Sequence, residues 1–421
     1  MVVRMPCGVH HAPRTRSTPR AGVRFRPRPI IELVTTLAPP LSPAPAGHAL
    51  RRAAPALLVY AGVRALGLAV LAVWGAAAGK SPHTLLAARW DSLWYTRVAE
   101  HGYGWQVRLP DGSVHSNLAF FPLLPWLERL VSAVSPLSYA DAGLVVSWLA
   151  SLFAAAGIFA VADHLYGRRA GVCAVALWAV LPVGIVQSMA YSESLFTAVA
   201  AWSLYAVLRE RWVLAGVLAS CAGLTRPVGA AVVAAVWVAA AVQVYREGRV
   251  HREGRADRRM LLGVALAPLG AAGYVLWVGH RTGGGLFGYL DVQAGWGNGF
   301  DFGYAFARFI GEKFTSVPGA LAGIGLVVGV ALVVRLYVVG VRQGQPLPLL
   351  VYTGIVVALA LCAAGYFGSK PRLLMPAFPL LLPLAVALAR LRTSRSALVL
   401  GGVAVVGAVY GAFWLHGSGP P

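Results

Sequence analysis

Long apolar runs rich in alanine, valine, leucine and glycine follow one another along most of the chain, with short polar breaks between them. A bilayer core about 30 Å thick needs roughly 20 such residues in one helix. The pattern predicts an all-α polytopic membrane protein with about eleven transmembrane helices. They lie near residues 55–79, 141–162, 170–187, 194–208, 212–224, 227–245, 260–279, 316–340, 349–366, 373–391 and 396–415. The runs at 194–208 and 212–224 are short for spans, which predicts broken or tilted helices buried among the others.

The remaining segments divide the chain into tails, a membrane domain and two long loops. Residues 1–54 hold nine arginines, many prolines and one acid, which predicts a disordered basic cytoplasmic tail. The transmembrane domain is predicted over residues 55–415, followed by a short C-terminal tail at 416–421. Residues 80–140 and 280–315 are too long and too polar for simple connectors. Because long ordered loops are usually functional, we expect the chemistry there.

Composition and charge narrow the class of protein. Of 421 residues, 58% are hydrophobic and only 12% are charged, and the mean hydropathy is +0.68. Since soluble domains carry about a quarter charged residues, these values exclude a soluble enzyme, a disordered regulator and a nucleic-acid-binding module. The net charge of +21 follows the positive-inside rule. With the N-terminus in the cytoplasm, 24 of the 36 basic residues fall inside and 11 outside, which places the two long loops on the external face of the plasma membrane.

Metal and cofactor motifs are weak. Cys7, Cys173, Cys221 and Cys362 form no readable disulfide framework or zinc cluster. The external acids and histidines match no compact ligand spacing, so a divalent cation is unsupported and no metal ligand is assigned. They are His83, His101, His115, Asp91 and Asp111. No phosphate-cradling glycine motif appears, and no cofactor is predicted.

The strongest chemical motif is RWDSLWYTRVAEHGYG, residues 89–104. Read as a helix, it places Asp91 and Tyr95 on one face, while Trp90 and Trp94 form the neighbouring face. The two indoles would partly desolvate the Asp91 carboxylate, which suits proton abstraction. The alternative is an amphipathic helix at the membrane interface, where tryptophan and tyrosine rings sit at headgroup level, with no chemical task.

Isolated charges lie at the predicted external ends of other spans. Glu193 lies in YSESLF, Arg226 in LTRPVG, and Lys370 with Arg372 in GSKPRLLMPAFPL. Charges at membrane depth are costly and tend to mark sites, and the planar fork of arginine suits phosphate oxygens. The alternative is that these side chains extend to the lipid headgroups. The prolines of NLAFFPLLPWLERL, residues 117–130, predict a short re-entrant or interfacial helix, or a wall over the Asp91 helix.

Together these motifs resemble a known family. RWDSLWYTRVAEHGY, AFFPLLP, YSESLF, LTRP and KPRLLMPAFPL occur in the order and at spacings similar to those of bacterial relatives of PIG-V, a mannosyltransferase of GPI-anchor assembly. The resemblance covers roughly residues 57–391. It implies a GT-C membrane fold, with interfacial helices in the long first external loop. It also implies an inverting transferase that takes mannose from a polyprenyl-phosphate carrier on the extracytoplasmic face.

The resemblance also implies roles for individual residues. In GT-C enzymes a carboxylate of the first external loop is the general base, and the matching residue here is Asp91. Arg226 and Arg372 would stabilise the departing phosphate, with Lys370 as a weaker candidate, and Glu193 would belong to the substrate-binding set. Trp94 and Tyr95 would hold the sugar or the isoprenoid. The implied partners are a polyprenyl-phosphate sugar donor, a glycan or glycolipid acceptor and membrane lipid, with no nucleic acid.

The sequence departs from the family at one point and leaves two other functions open. Many GT-C enzymes carry two adjacent acids in the first loop, whereas the next acid after Asp91 is Glu100, which lies off its helical face. The first alternative function is a transporter or flippase of a lipid-linked sugar, although no inverted repeat of the motifs is visible. The second is a catalytically inert scaffold, which separation of Asp91 from Arg226 and Arg372 would favour.

Overall fold

The computed structural model describes residues 46–250, 257–417 and 419. Most of them are helical, as predicted. The helices are Ala46–Ala77, Pro82–Ala87, Asp91–His101, Leu123–Ala133, Tyr139–Tyr166, Arg168–Ala179, Ser192–Leu208, Trp212–Gly223, Ala230–Val250, Arg258–Leu266, Leu269–Thr282, Gly288–Gly295, Tyr304–Lys313, Val317–Arg342, Leu347–Cys362, Lys370–Leu374, Leu382–Arg390 and Thr393–His416. Short 3₁₀ turns are Asn117–Ala119, Gly184–Ser188, Pro227–Gly229, Gly285–Phe287, Phe367–Ser369 and Phe378–Leu381.

The predicted tail and the first helix meet earlier than the sequence indicated. Residues 1–45 and 251–256 lie outside the described part of the chain. The first helix begins at Ala46, which makes residues 46–54 helical rather than part of a disordered tail. At the other end the last helix closes at His416, next to the predicted end of the membrane domain.

The polytopic helical architecture is confirmed, but the count of eleven spans is not. Within the described residues, six helices are long and apolar enough to cross a membrane, and a seventh span arises if one bent pair is counted. That pair joins Phe367–Leu374 to Phe378–Arg390 at an angle of 75°. Three further apolar helices are shorter, at Ser192–Leu208, Trp212–Gly223 and Leu347–Cys362. Several of the predicted spans are therefore short or interrupted helices.

The predicted span at 170–187 shows why hydropathy overestimates the number of transmembrane helices. Its helix ends at Ala179, and a separate 3₁₀ turn follows at Gly184–Ser188. The guanidinium of Arg64, from the first helix, donates hydrogen bonds to the carbonyls of Ala179 and Gly184. Carbonyls freed at a helix end must find partners where no water is present. Arg64 supplies them, so the break is tolerated inside an apolar run.

The helix Ser192–Leu208 lies at the centre of the described bundle, and nearly all of its residues are buried. It packs against Tyr139–Tyr166, where Gly157 makes the close approach possible. A Cβ atom at Gly157 would lie 2.9 Å from the Cβ of Ala201. Small residues at such crossings let helices pack without a hydrophobic driving force from water. The burial of this short helix agrees with the prediction for residues 194–208.

The two long loops are ordered and carry short elements. Residues 80–140, the first loop, contain three of the short helices and an antiparallel strand pair, Gln106–Arg108 with Val114–Ser116. Residues 280–315, the second loop, contain two short helices and the strand Gly299–Phe300. That strand pairs with Ala363–Ala364, directly after the helix Leu347–Cys362. The interfacial helices predicted for the first loop are thus present, and the second loop is tied to a distant part of the chain.

Candidate active site

The RWDSLWYTRVAEHGYG motif forms a helix as predicted, but the helix begins at Asp91, so Trp90 lies just before it. The preceding residue, Trp90, has φ 53° and ψ −121°, a conformation that residues with a side chain seldom adopt. Such strain costs of order 1–3 kcal/mol and persists only where surrounding contacts impose it. Here the Asp91 amide donates to the hydroxyl of Tyr191 at 3.3 Å. The sharp turn leaves the Asp91 side chain 25% exposed at the helix start.

Four charged side chains meet beside this turn, and we call them the charged cluster: Asp91, Glu193, Arg226 and Arg372. Nη1 of Arg372 lies 2.6 Å from Oδ2 of Asp91, and its Nε lies 3.4 Å from Oε1 of Glu193. The same Glu193 oxygen lies 2.6 Å from Nη1 of Arg226. Acid and base alternate along the cluster, so the formal charges cancel. Glu193 is only 1% exposed and Arg372 9%, whereas Asp91 is the most accessible member.

Polar and aromatic side chains support the charged cluster. Arg226 donates to the hydroxyl of Ser192 at 3.0 Å, and that hydroxyl shares a 2.7 Å hydrogen bond with the phenol of Tyr95. The Arg372 guanidinium lies over the ring of Tyr191, 5.1 Å from its centroid. Tyr95 is buried, and its hydrogen bond to Ser192 links it to Arg226. Sequence reasoning singled out Tyr95 but missed Tyr191 and Ser192, although both stand beside Glu193 in YSESLF.

Tyr366 is a second residue that sequence reasoning missed. It has φ 43°, so two non-glycine residues near the charged cluster, Trp90 and Tyr366, occupy unusual backbone conformations. Burial raises the pKa of Tyr366, and the negative charge of Asp91 raises it further. Like any tyrosine, it carries a phenol that is a hydrogen-bond donor at neutral pH. Its conformation gives no signal in the sequence.

Trp94 lies in an aromatic cluster that joins the two loops. Its ring centroid is 4.6 Å from that of Trp105, 5.5 Å from that of Phe120 and 4.7 Å from that of Trp296. Trp296 belongs to the second loop, and its indole donates to the carbonyl of Ser116 at 2.9 Å. Offset and edge-to-face ring pairs of this kind stabilise packing beyond their buried area. Trp94 thus fixes the second loop against the Asp91 helix.

Lys370, the weaker candidate for binding phosphate, lies outside the charged cluster. Its ammonium donates to the carbonyls of Ala360 and Ala363 at 2.9 and 2.8 Å. The ring of Phe306 covers it, with the centroid 4.6 Å from Nζ. Arg372, two residues along the same short helix, carries the contact with Asp91. Of the seven predicted site residues, four form the charged cluster, Tyr95 reaches that cluster through Ser192, and Trp94 lies in the aromatic cluster. Lys370 lies outside both clusters.

Potential metal ligands are scattered over the part of the chain that the structure describes. No group of three histidine, cysteine, aspartate or glutamate residues lies close enough there to hold an ion. His83 instead lies 2.6 Å from Asp141, and the ring of His115 stacks on Trp296. Cys173, Cys221 and Cys362 are free thiols.

Glu128 is a buried acid that sequence reasoning did not single out. It lies in the short helix Leu123–Ala133 of the first loop, and neither of its carboxyl oxygens has a hydrogen-bond partner among the described residues. Gly143 makes room for it, because a Cβ there would lie 2.6 Å from Oε1 of Glu128. Burial raises the pKa of Glu128 well above its ordinary value.

We expect Glu128→Gln to raise the thermal midpoint, by an amount that grows with pH. The folded state holds the Glu128 proton more tightly than the unfolded state, so wild-type stability falls as pH rises above the unfolded pKa of about 4.3. Glutamine does not titrate and avoids this loss. Thermal unfolding of both proteins from about pH 5 to about pH 8 checks the prediction. Glu100→Gln, at an exposed acid, is the control. A midpoint difference that is constant with pH would contradict it.

Comparison with known proteins supports the architecture. A family model described as dolichyl-phosphate-mannose-protein mannosyltransferase matches residues 117–270, less than half of the chain. The structure of ArnT from Cupriavidus metallidurans bound to undecaprenyl phosphate superposes with a TM-score of 0.50 at 15% identity, covering 86% of this chain and 64% of that one. The oligosaccharyltransferase AglB from Archaeoglobus fulgidus, in complex with an inhibitory peptide and a dolichol-phosphate, gives 0.44 at 12% identity over 86% and 56%, too low to support a conclusion.

A comparison with curated proteins finds no match. This chain spans just under two thirds of the ArnT chain. At 15% identity, the likeness to ArnT shows the fold of this chain and nothing beyond the fold. The protein is a polytopic helical membrane protein with a GT-C-like fold, similar to that of ArnT.

Proposed function

We propose that this GT-C-like protein is an integral membrane glycosyltransferase. It transfers mannose from a polyprenyl-phosphate-mannose donor to a hydroxyl of a lipid-linked or cell-envelope glycan, with inversion at the anomeric carbon. One observation carries the proposal: the partly exposed Asp91 carboxylate lies 2.6 Å from the Arg372 guanidinium, with Arg226 beside them across Glu193. A base and two cations suited to phosphate stand together at one site. The presence of undecaprenyl phosphate in the ArnT structure supports the class of donor.

Donor binding would release the base from its ion pair. The charged cluster is formally neutral without substrate, since two carboxylates offset two guanidinium groups. A phosphodiester brings one negative charge and two non-bridging oxygens, which can accept two parallel hydrogen bonds from one guanidinium group. Nη1 of Arg372 then turns from Asp91 to the phosphate, and the freed Asp91 carboxylate becomes a stronger base. Glu193, buried and in contact with both arginines, holds the two guanidinium groups in place throughout.

Transfer would then follow by direct displacement. The acceptor oxygen attacks the anomeric carbon from the face opposite the phosphate, and Asp91 takes the hydroxyl proton. The new glycosidic bond forms as the bond from the anomeric carbon to the phosphate oxygen breaks, and that oxygen keeps the electron pair. The leaving polyprenyl phosphate gains one negative charge. Arg372 and Arg226 would stabilise that charge, since both guanidinium groups are largely buried.

Aromatic residues around the charged cluster suit the sugar and its lipid. The protonated phenol of Tyr366 near Asp91 offers a hydrogen bond to a sugar hydroxyl, a role that sequence reasoning did not assign. Trp94 presents an indole in the aromatic cluster that joins the loops, which suits stacking with the sugar or the isoprenoid. Tyr95 is buried beneath Ser192, so we assign it to holding Arg226 rather than to direct contact with the donor.

The location of the enzyme follows from its charge. We infer the plasma membrane, a cytoplasmic N-terminus and an extracytoplasmic active site. Basic residues concentrate in the segments assigned to the cytoplasm, as the positive-inside rule requires, while the charged cluster lies at the opposite ends of the helices. A lipid-linked donor reaches such a site from within the bilayer, and the acceptor is a glycan or glycolipid on the same face.

Reconstitution in proteoliposomes tests the proposal against transport. The purified protein receives polyprenyl-phosphate-mannose labelled in the sugar, together with membrane glycolipid extract as acceptor. The expected result is a labelled glycoside and free polyprenyl phosphate. Movement of the labelled lipid between leaflets without glycoside formation would instead establish a flippase and overturn the transferase.

A further inference from the structure

Lys370 is buried, and its ammonium contacts two backbone carbonyls and two aromatic rings. The residue is 3% exposed, and its two carbonyl partners, Ala360 and Ala363, lie within 2.9 Å of Nζ. The ring centroids of Phe306 and Phe367 lie 4.6 and 5.4 Å from the same atom. An ammonium has three donors, and its charge is attracted to the faces of aromatic rings. These contacts leave little of the cation for a substrate phosphate.

The groups around Lys370 come from three parts of the chain. Ala360 and Ala363 stand at the end of the helix Leu347–Cys362, whose last carbonyls lack partners within the helix. A cation at a helix C-terminus is also favoured by the helix dipole. Phe306 belongs to the helix Tyr304–Lys313 of the second loop. Lys370 itself opens the five-residue helix Lys370–Leu374.

The same point anchors the strand pair of the second loop. Ala363, which accepts from Lys370, is the residue paired with Phe300. The next residue of the loop, Asp301, receives an amide hydrogen bond from Gly303 and another from Ala305, which fix the start of the helix that carries Phe306. Its own amide donates to the carbonyl of Cys362. One ammonium therefore joins the second loop to the helix that holds Arg372.

We propose that Lys370 is a positioning residue that sets Arg372 against Asp91 and couples the second loop to that placement. Residues two apart on a helix point in different directions, so Lys370 and Arg372 do not share one ligand. This inference rests on the proposed function, in which Arg372 binds the phosphate of the donor, and it adds a residue that positions Arg372. It replaces the direct phosphate contact expected of Lys370 from the sequence.

Binding of undecaprenyl phosphate to the full-length protein in nanodiscs tests the proposal. We expect Lys370→Met to weaken binding about tenfold, because a misplaced Arg372 loses part of a charge-assisted hydrogen bond. In an Arg372→Gln background, Lys370→Met should alter binding by less than about threefold. Both substitutions weaken the same interaction, the contact of Arg372 with the phosphate, so their effects should not multiply. Multiplicative losses in the double variant would mean that Lys370 contacts the phosphate itself, and they would overturn the proposal.

Hydrogen exchange supplies a readout that does not depend on the substrate. Lys370→Met should speed exchange of backbone amides at residues 299–306, where the second loop meets Lys370. Lys313→Met is the matched control. Lys313 ends the helix Tyr304–Lys313, which carries Phe306, and its ammonium lies over the ring of Phe309. Unchanged exchange in Lys370→Met would overturn the coupling.

A conservative variant guards against misfolding of Lys370→Met. Lys370→Arg keeps the positive charge and N–H donors, so it should recover part of the slow exchange and part of the binding that Lys370→Met loses. Failure of the arginine variant to restore either property, in a folded protein, would overturn the positioning role. If the wild type binds no undecaprenyl phosphate, the proposed function fails, while the exchange experiment still decides whether Lys370 couples the loop to the Arg372 helix.

Discussion

Asp91→Asn is expected to abolish sugar transfer, with a loss in kcat of at least about 10³-fold. Asparagine has nearly the shape of aspartate and still accepts a hydrogen bond from Arg372, so the start of the Asp91–His101 helix should keep its geometry. What the amide cannot do is take the proton of the acceptor hydroxyl. The measurement is the initial rate of labelled glycoside formation, with the thermal midpoint recorded for the same preparation.

The matched control for this variant lies on the same helix. Glu100→Gln makes the same change of acid to amide at an exposed position. It should leave both transfer and the thermal midpoint at wild-type values. Transfer at the wild-type rate in folded Asp91→Asn would remove Asp91 as the base and favour an inert or transporting relative of the glycosyltransferases.

Arg372→Gln is expected to lower kcat by about 10²- to 10³-fold, the usual loss when one group that stabilises developing charge is removed. Arg372 contacts both acids of the charged cluster, Asp91 and Glu193, and lies over the ring of Tyr191. Arg372→Lys should recover only part of the loss, because an ammonium is a point donor that cannot serve both acids with one planar fork. The measurement is kcat together with the dissociation constant for undecaprenyl phosphate.

The thermal midpoint of Arg372→Gln must be measured together with its activity. Removing Arg372 leaves Glu193 buried with fewer partners, and breaking a buried ion pair costs about 3–5 kcal/mol. Arg308→Gln, at an exposed arginine of the second loop, is the control and should match the wild type. A wild-type kcat and a wild-type affinity for undecaprenyl phosphate in folded Arg372→Gln would contradict the assignment of Arg372 to the departing phosphate.

How much of this site could be predicted depends on the kind of information each residue carries. The motifs placed Asp91, Arg226 and Arg372 at the same ends of different helices, because hydropathy fixes where spans begin and end. The 2.6 Å contact between Asp91 and Arg372, which are 281 positions apart, depends on how helices pack and leaves no trace in a single sequence. Glu193 was singled out as a boundary charge, but its position between two arginines appears only in three dimensions.

Lys370 and Arg64 show the limits of the same reasoning in physical terms. A lysine two residues from a phosphate-binding arginine resembles a second phosphate ligand in the sequence, but the helix turns it towards the carbonyls of Ala360 and Ala363. Hydropathy counts residues 170–187 as one span, because it cannot register that Arg64 supplies the hydrogen bonds of a broken helix. Side chains that satisfy backbone groups from a distance are the feature that local patterns miss.

The anomeric configuration of the product, determined by nuclear magnetic resonance, tests the central claim most directly. Purified wild-type protein is incubated with polyprenyl-phosphate-mannose of known configuration and the glycolipid acceptor, in parallel with Asp91→Asn. A single displacement assisted by Asp91 predicts a new glycoside of the opposite configuration, formed by the wild type and absent from the variant. A product that retains the donor's configuration, or one formed equally well without the Asp91 carboxylate, would contradict the mechanism.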